Sequence, residues 1–221
     1  MEALAEQFFN LDIMVQSWPV LLRGLGMTLL LCLIVIPMGL LGGLAVALIA
    51  TSRYRFARWA IIPFVDVFRA VPPLVLLIFV HAGLPFAGLE LSAFQAVTVA
   101  FLLNNSAYYG EIYRAGIESV PQGQIQAARS TGLTGMQTTA YVVLPQAVRT
   151  VLPDLVSNTI EVVKLTSLAS VVALQELLYS ADMARSITFN ASPIVLAAGL
   201  YLLLLWPCVR LLSRLERRLA T

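Results

Sequence analysis

A chain of 221 residues that is 59% hydrophobic and only 12% charged, with a mean hydropathy of +0.86, carries about half the charge of an ordinary soluble domain. Apolar runs of about 20 residues recur along it, long enough to cross a bilayer as helices, so composition defines a polytopic membrane protein. The net charge of +2 is dispersed over loops rather than gathered in a patch, which leaves no footing for nucleic acid.

The first residues are acidic, with Glu2, Glu6 and Asp12 and no Lys or Arg. That start, and a first apolar run too long for a signal-peptide core, argue against a cleavable leader. The first span runs from about Val20 to Ala50, with Arg23 near its outer end. Its Gly39, Gly42 and Gly43 let another helix approach closely in lipid. A basic loop follows with Arg53, Arg55 and Arg58. The second span, about Ile61 to Val80, contains Asp66, Arg69, Pro72 and Pro73. Asp66 and Arg69 are three apart and read as an internal ion pair near the interface, where Arg69 snorkels. The two prolines kink or break the helix and free backbone carbonyls. Residues 81–91 form a short loop without Lys or Arg, and His81 beside it is expected to be solvated.

The third span covers about Ser92 to Ile112. Its Asn104, Asn105 and Ser106 serve as interhelical hydrogen-bond partners or line a path. The fourth begins near Val151, a loop spans 175–190, and the fifth covers about Pro193 to Leu212 before a basic tail. Cys32 and Cys208 both lie inside apolar runs and read as buried apolar residues, not as a disulfide or metal pair.

Between the third and fourth spans, Gly123 to Arg149 cannot be read simply as membrane-buried. Gln126, Ala127 and Ala128 make a small-residue helical turn, Gly132 and Gly135 break it, and Pro145 restarts the chain in a new direction. The expected product is a compact knob with an alanine-lined face. Ten of the fourteen Lys and Arg residues fall in the 51–60 loop, the 113–150 loop and the tail, so that side is cytoplasmic. Five spans then put the N-terminus outside and the C-terminus inside, in a single transmembrane domain over 1–221.

A path for a polar solute needs polar groups turned away from lipid, because a charge in hydrocarbon costs roughly 3 kcal/mol. The fourth span holds the densest set: Asn158, Glu161, Lys164, Thr166 and Ser167. Glu161 and Lys164 are i,i+3 neighbours on one helix face. They either line a cavity and meet the charged groups of a polar solute, or hold the span in register as a structural pair. No G-x-x-x-x-G-K-[ST], G-x-S-x-G, H-E-x-x-H or C-x-x-C occurs, so the chain is not itself an ATPase and shows no catalytic or metal cluster.

The knob resembles the EAA loop of ABC-importer permeases. That pattern is E-A-A, a glycine after a three-residue gap, and a closing hydrophobic-Leu-Pro; here it is Gln126, Ala127, Ala128, Gly132, Val143, Leu144 and Pro145. Gln126 stands where the family has Glu, keeping length and hydrogen bonding but not charge. From Trp18 to Arg218 the chain is similar to the polar amino-acid uptake branch. Phe68-Arg69-Ala70-Val71-Pro72 resembles F-R-G-x-P, and Ser106-Ala107-Tyr108 with Glu111 to Ile117 resembles S-A-Y-x-x-E-x-x-R-G-G-I. Lys164-Leu165-Thr166-Ser167-Leu168 resembles K-D-T-S-L, with Leu165 replacing Asp.

The resemblance implies a type I importer (MetI-like) permease fold in the inner (plasma) membrane. It implies ABC ATPase subunits docked through Gln126, Ala127, Ala128, Gly132, Leu144 and Pro145, with ATP and Mg bound by that partner and no cofactor in this chain. It also implies a second permease subunit, a solute-binding protein and an amino-acid or opine-like substrate. The path residues would be Arg69, Asn158, Glu161, Lys164, Thr166 and Ser167. Glu161 lies where the branch more often has an aliphatic residue, which favours it for substrate contact. The alternatives are an ATP-independent secondary transporter or channel, which internal repeats would favour, and a membrane scaffold. The halves show no self-similarity, and charges deep in the second and fourth spans disfavour a scaffold.

Overall fold

The computed structural model describes residues 2–52 and 54–219, with side chains for 3–52 and 54–214. Arg53, and the side chains of Arg217 and Arg218, lie outside the described residues. The elements there are helical, with no strand: α1 (Glu2–Phe8), α2 (Leu11–Ala50), α3 (Arg55–Ala70), α4 (Pro73–Ile78), α5 (Ala93–Ser119), α6 (Gln122–Ser130), α7 (Gly135–Thr138), α8 (Leu144–Leu165), α9 (Leu177–Thr188) and α10 (Ser192–Leu219). Single helices satisfy their own backbone groups, which is what an apolar chain in lipid requires.

Three stretches are long and apolar enough to cross a membrane: Ala3–Ala50, Gly135–Val172 and Ser192–Arg214. A fourth joins them if α3 and the Pro73–Ala87 stretch are taken as one broken span. α5 has 27 residues and the length to cross, but its polar residues keep it out of that set. α2 starts well before the expected Val20 and at 40 residues is roughly 60 Å long.

Five local expectations are corrected. Pro145 does not turn the chain: Gly135–Val172 is one helical run. A wide turn at Thr139–Val143, closed by the Leu144 N–H on the Thr139 carbonyl, precedes the proline. An ordinary α-turn would press the proline ring against the carbonyl four residues back; the wide turn relieves that contact. Residues 81–91 are partly helical, with a wide turn at Phe79–Gly83 and a 3₁₀ turn at Leu84–Ala87. His81 is half-buried there, with a buried Nδ1 that has no partner. The 175–190 loop is mostly α9, and Cys208 is exposed while Cys32 is buried.

The described residues form two compact units. The first contains Met1–Val35, Pro73–Ala100 and Ile160–Thr221. Its core is Leu21, Leu177, Ala181, Ala184, Ala197 and Leu200. Glu176, wholly buried, caps α9 by accepting the Leu178 and Tyr179 N–H groups at 2.8 and 2.7 Å, and takes the Tyr201 hydroxyl at 3.1 Å. Thr28 accepts the Leu177 N–H at 3.1 Å. Gly24 passes so close to Ser180 and the Glu176 carbonyl that no side chain fits. At the far end of α9 the chain is tied to the N-terminus: Ala191 N–H donates to Gln7 O at 3.0 Å and Asn190 Nδ2 to Glu6 O at 2.9 Å.

The second unit contains Ile36–Pro72 and Phe101–Thr159. The small-residue face of α2 packs directly on α5. A Cβ on Gly43 would lie 2.8 Å from the Gly110 nitrogen, and one on Gly110 would lie 2.5 Å from Val46 Cγ1. Further along, a Cβ on Gly116 would lie 2.8 Å from the Ala147 carbonyl oxygen, so α5 meets α8 closely there. Tyr109, wholly buried, shares a hydrogen bond of 2.7 Å with Thr159 on α8.

Candidate coupling surface and transport path

The knob lies in the second unit. Pro121 opens α6, and Thr131 closes it by donating its N–H to the Ala127 and Arg129 carbonyls. Gly132 then takes φ +90° with open space around it, a left-handed conformation that costs other residues about 1 kcal/mol or more. Thr134 starts α7 with a capping box: its hydroxyl accepts the Gln137 N–H at 3.2 Å, and its own N–H donates to Gln137 Oε1 at 2.8 Å. Arg129 bridges the turn by donating to Leu133 O at 2.9 Å. Gln126 and Ala127 are exposed, and Ala128 is buried. Val120, Val143 and Ala147 pack together beneath, with Ile117 and Ile125 against them. Gly132 and Pro145 are exposed and Leu144 is half-buried.

Below the knob lies a cleft of about 860 Å³, whose charged lining is Arg58, Asp66, Arg69, Glu111, Arg114 and Arg129 with Glu118. The expected Asp66–Arg69 pair is absent. Arg69 reaches Glu111 on α5 at 3.8 Å and stacks 5.6 Å above the Tyr108 ring. Asp66 has no ion-pair partner among the described residues. Both residues lie within α3 at i,i+3 spacing, but the neighbouring α5 offers Arg69 the Glu111 carboxylate and the Tyr108 ring, and its guanidinium turns there. Arg114 links Glu111 and Glu118, both at 2.5 Å. That network is legible as i,i+3 and i,i+4 spacings, yet it was missed as a network.

The fourth-span residues fall on α8 and the turn after it. Glu161 and Lys164 form the expected ion pair, with side chains 60% and 49% exposed. Thr166 is buried and donates to Val163 O at 2.7 Å; Ser167 is half-buried and donates to Lys164 O at 2.8 Å. Asn158 is half-buried near the Tyr109 hydroxyl, and among the described residues no close hydrogen bond reaches its buried Nδ2. Sequence reading missed Glu176 because 175–190 was read as a loop. Apolar or small residues at Leu177, Ser180, Ala181 and Ala184, following an acidic residue, carry the helical period and N-cap that would have found it.

The chain as a whole resembles known proteins. A model of the binding-protein-dependent transport system inner membrane component family matches residues 36–221. The chain is 36% identical to the probable glutamine ABC transporter permease GlnM of Bacillus subtilis over 95% of this chain and 98% of that one. It is 33% identical to the glutamine transport system permease GlnP of Escherichia coli over 91% and 93% of the two chains. Among solved structures, a chain of an amino acid ABC transporter crystallised with histidines superposes with a TM-score of 0.84, at 36% identity, over 93% of this chain and 96% of that chain. A chain of the MetNI methionine ABC transporter shares the fold at 22% identity, with a TM-score of 0.75 over 90% and 96%. The chain belongs to the family of inner-membrane components of binding-protein-dependent transport systems. Within that family it is a helical ABC-importer permease of the kind found in amino-acid transporters.

Proposed function

We propose that this chain is the permease subunit of an ATP-driven importer for polar amino acids or amino-acid-like compounds such as opines. The observation that carries the reading is the knob: a small-residue helix, a left-handed Gly132 and a capped second helix leading without interruption into α8. An ATPase groove receiving the exposed Gln126–Ala127 face would push on that helical run directly. Five spans (α2, α3 with α4, α5, α8 and α10) run from an outer N-terminus to a cytoplasmic C-terminus.

The state of Glu161 and Lys164 supports a path along α8. An ion pair left half open by its own chain is costly against lipid. It is compatible with a wet cavity formed with a second permease subunit. There Glu161 meets a substrate ammonium and Lys164 a carboxylate, with Asn158 and Ser167 as further polar groups along the same helical run; Thr166, wholly buried, secures the end of the helix, and Arg69 belongs to the cleft of the second unit. A solute-binding protein delivers the substrate from outside, and ATP and Mg are bound by the ATPase. Closure of the ATPase pair switches the cavity between discrete packings, the alternating-access scheme. No bond in the substrate changes.

The test is co-purification from the native membrane in mild detergent, followed by reconstitution into vesicles with the co-purified subunits. A stoichiometric ATPase and ATP-dependent amino-acid uptake are expected. Uptake by this chain without an ATPase would replace the importer with a self-sufficient carrier.

A further inference from the structure

The break in the second span has a hydrogen-bond consequence that falls on two residues of α5. α3 ends with the Val71 N–H on the Val67 carbonyl at 2.9 Å. In a continuing helix the next two donors, from residues 72 and 73, would reach the carbonyls of Phe68 and Arg69. Both positions are proline and have no N–H. Unpaired backbone carbonyls away from water are costly. In this chain both are paired. Asn104 Nδ2 donates to Phe68 O at 2.9 Å, and the Tyr108 hydroxyl donates to Arg69 O at 3.3 Å. Asn104 and Tyr108 are four apart on α5, so they share one face, and the longer tyrosine side chain reaches the second carbonyl. Tyr108 also carries the Arg69 guanidinium over its ring, 5.6 Å from the centroid. It therefore holds both ends of that residue beside Glu111, one turn further along α5.

We propose that Asn104 and Tyr108 are positioning residues of the transport path. They replace the donors that Pro72 and Pro73 remove, keep the second span open at Val71, and so hold Arg69 on the cleft beneath the knob. The role rests on the importer reading for its link to transport, but not for its chemistry. Asn105, the next residue, is buried with an unpartnered Nδ2, so an amide at this depth is not by itself sufficient; placement opposite the freed carbonyl sets Asn104 apart.

The test compares Asn104→Asp with Asn104→Ala in the reconstituted complex. A packing role predicts that the isosteric Asp variant stays nearest the wild type. The donor role predicts the reverse at about pH 8, because a carboxylate facing a carbonyl repels it: uptake falls about tenfold or more, below the Ala variant. Lowering the pH to about 5 protonates a poorly solvated carboxyl and lets it donate, so the Asp variant should overtake the Ala variant. Asn104→Leu is close to Asn in size and has no donor at any pH; wild-type uptake in that variant overturns the proposal. The purified chain, labelled with carbonyl ¹³C-phenylalanine, gives a second readout independent of any transport. Asn104→Ala should shift one amide I component to higher frequency, and adding Pro72→Ala, which returns an N–H to the Phe68 carbonyl, should move it back. An unchanged spectrum in Asn104→Ala overturns the proposal. The same labelled arginine carbonyl with Tyr108→Phe serves if Asn104→Ala does not fold. A carbonyl shift in Asn104→Ala, when the wild-type complex itself shows no uptake, would retain the donor assignment and remove only the importer reading.

Discussion

At Glu161 the charge sits on a helix face that its own chain leaves mostly uncovered, with Lys164 as its only ion-pair partner among the described residues. Exposed ion pairs of this kind contribute little to stability, about 0–1 kcal/mol, so a purely structural role has little to gain from keeping one inside an apolar span. Glu161→Gln keeps size and hydrogen bonding while removing the charge. The expected outcome is a fully assembled complex with at least tenfold weaker apparent affinity for substrates bearing a free ammonium. Competition uptake with a set of amino acids reads this, and unaltered selectivity would return the pair to a structural role. The pair itself was readable from i,i+3 spacing, since both side chains lie on one uninterrupted helix. The partner of Arg69 was not. Its own helix offers Asp66 at the same spacing, and only the packing of α5 against α3 shows that Glu111 takes it.

Among the elements, the knob was the most legible, because glycine, alanine and a capping threonine act locally and need no tertiary partner. Its end was misread: Pro145 looked like a stop, and the wide turn at Thr139–Val143 that absorbs it has no simple sequence mark. α9, by contrast, carries its own local marks in its apolar period and its Glu176 cap; only the burial of that cap by Thr28 and Tyr201 is distant in sequence. Gly132 gives the prediction at this scale. No atom lies within 4 Å of a Cβ built there, so a substitution acts through φ and through whatever docks outside. Asn tolerates the left-handed region and Val does not. Gly132→Asn should keep uptake within about twofold, whereas Gly132→Val, costing about 1–2 kcal/mol of local strain, should lower uptake per ATP hydrolysed while the spans remain inserted. Parallel uptake and ATPase assays separate the two, and equal coupling in both variants would count against the knob as the docking element.

For the molecule as a whole, apolar runs and arginine placement carried the class and the proposed orientation. They were silent on the division into two compact units, which cuts α2, α5 and α8 part-way along their lengths. That division depends on close packing of glycines such as Gly24 and Gly43 against specific neighbours, a relation between distant residues that hydropathy does not contain. The proposed topology has a direct check. Phe189, 87% exposed at the turn before α10, and Gln126 on the knob should lie on opposite sides of the membrane. Single cysteines at these positions, in a chain with Cys32 and Cys208 replaced, should react differently with a membrane-impermeant maleimide on intact cells. Labelling at 189 and protection at 126 until permeabilisation is expected; the same response at both sites would overturn the five-span arrangement.

The wide turn before Pro145 also fixes a phase. One residue more than an α-turn corresponds to roughly 100° of rotation about the helix axis, so the direction in which the knob faces around α8 depends on keeping that surplus residue. Any transplant of this knob into another permease must therefore carry Thr139–Val143 and the proline as one cassette. A graft trimmed to the alanine-and-glycine pattern alone would present the right residues on the wrong side of the rod.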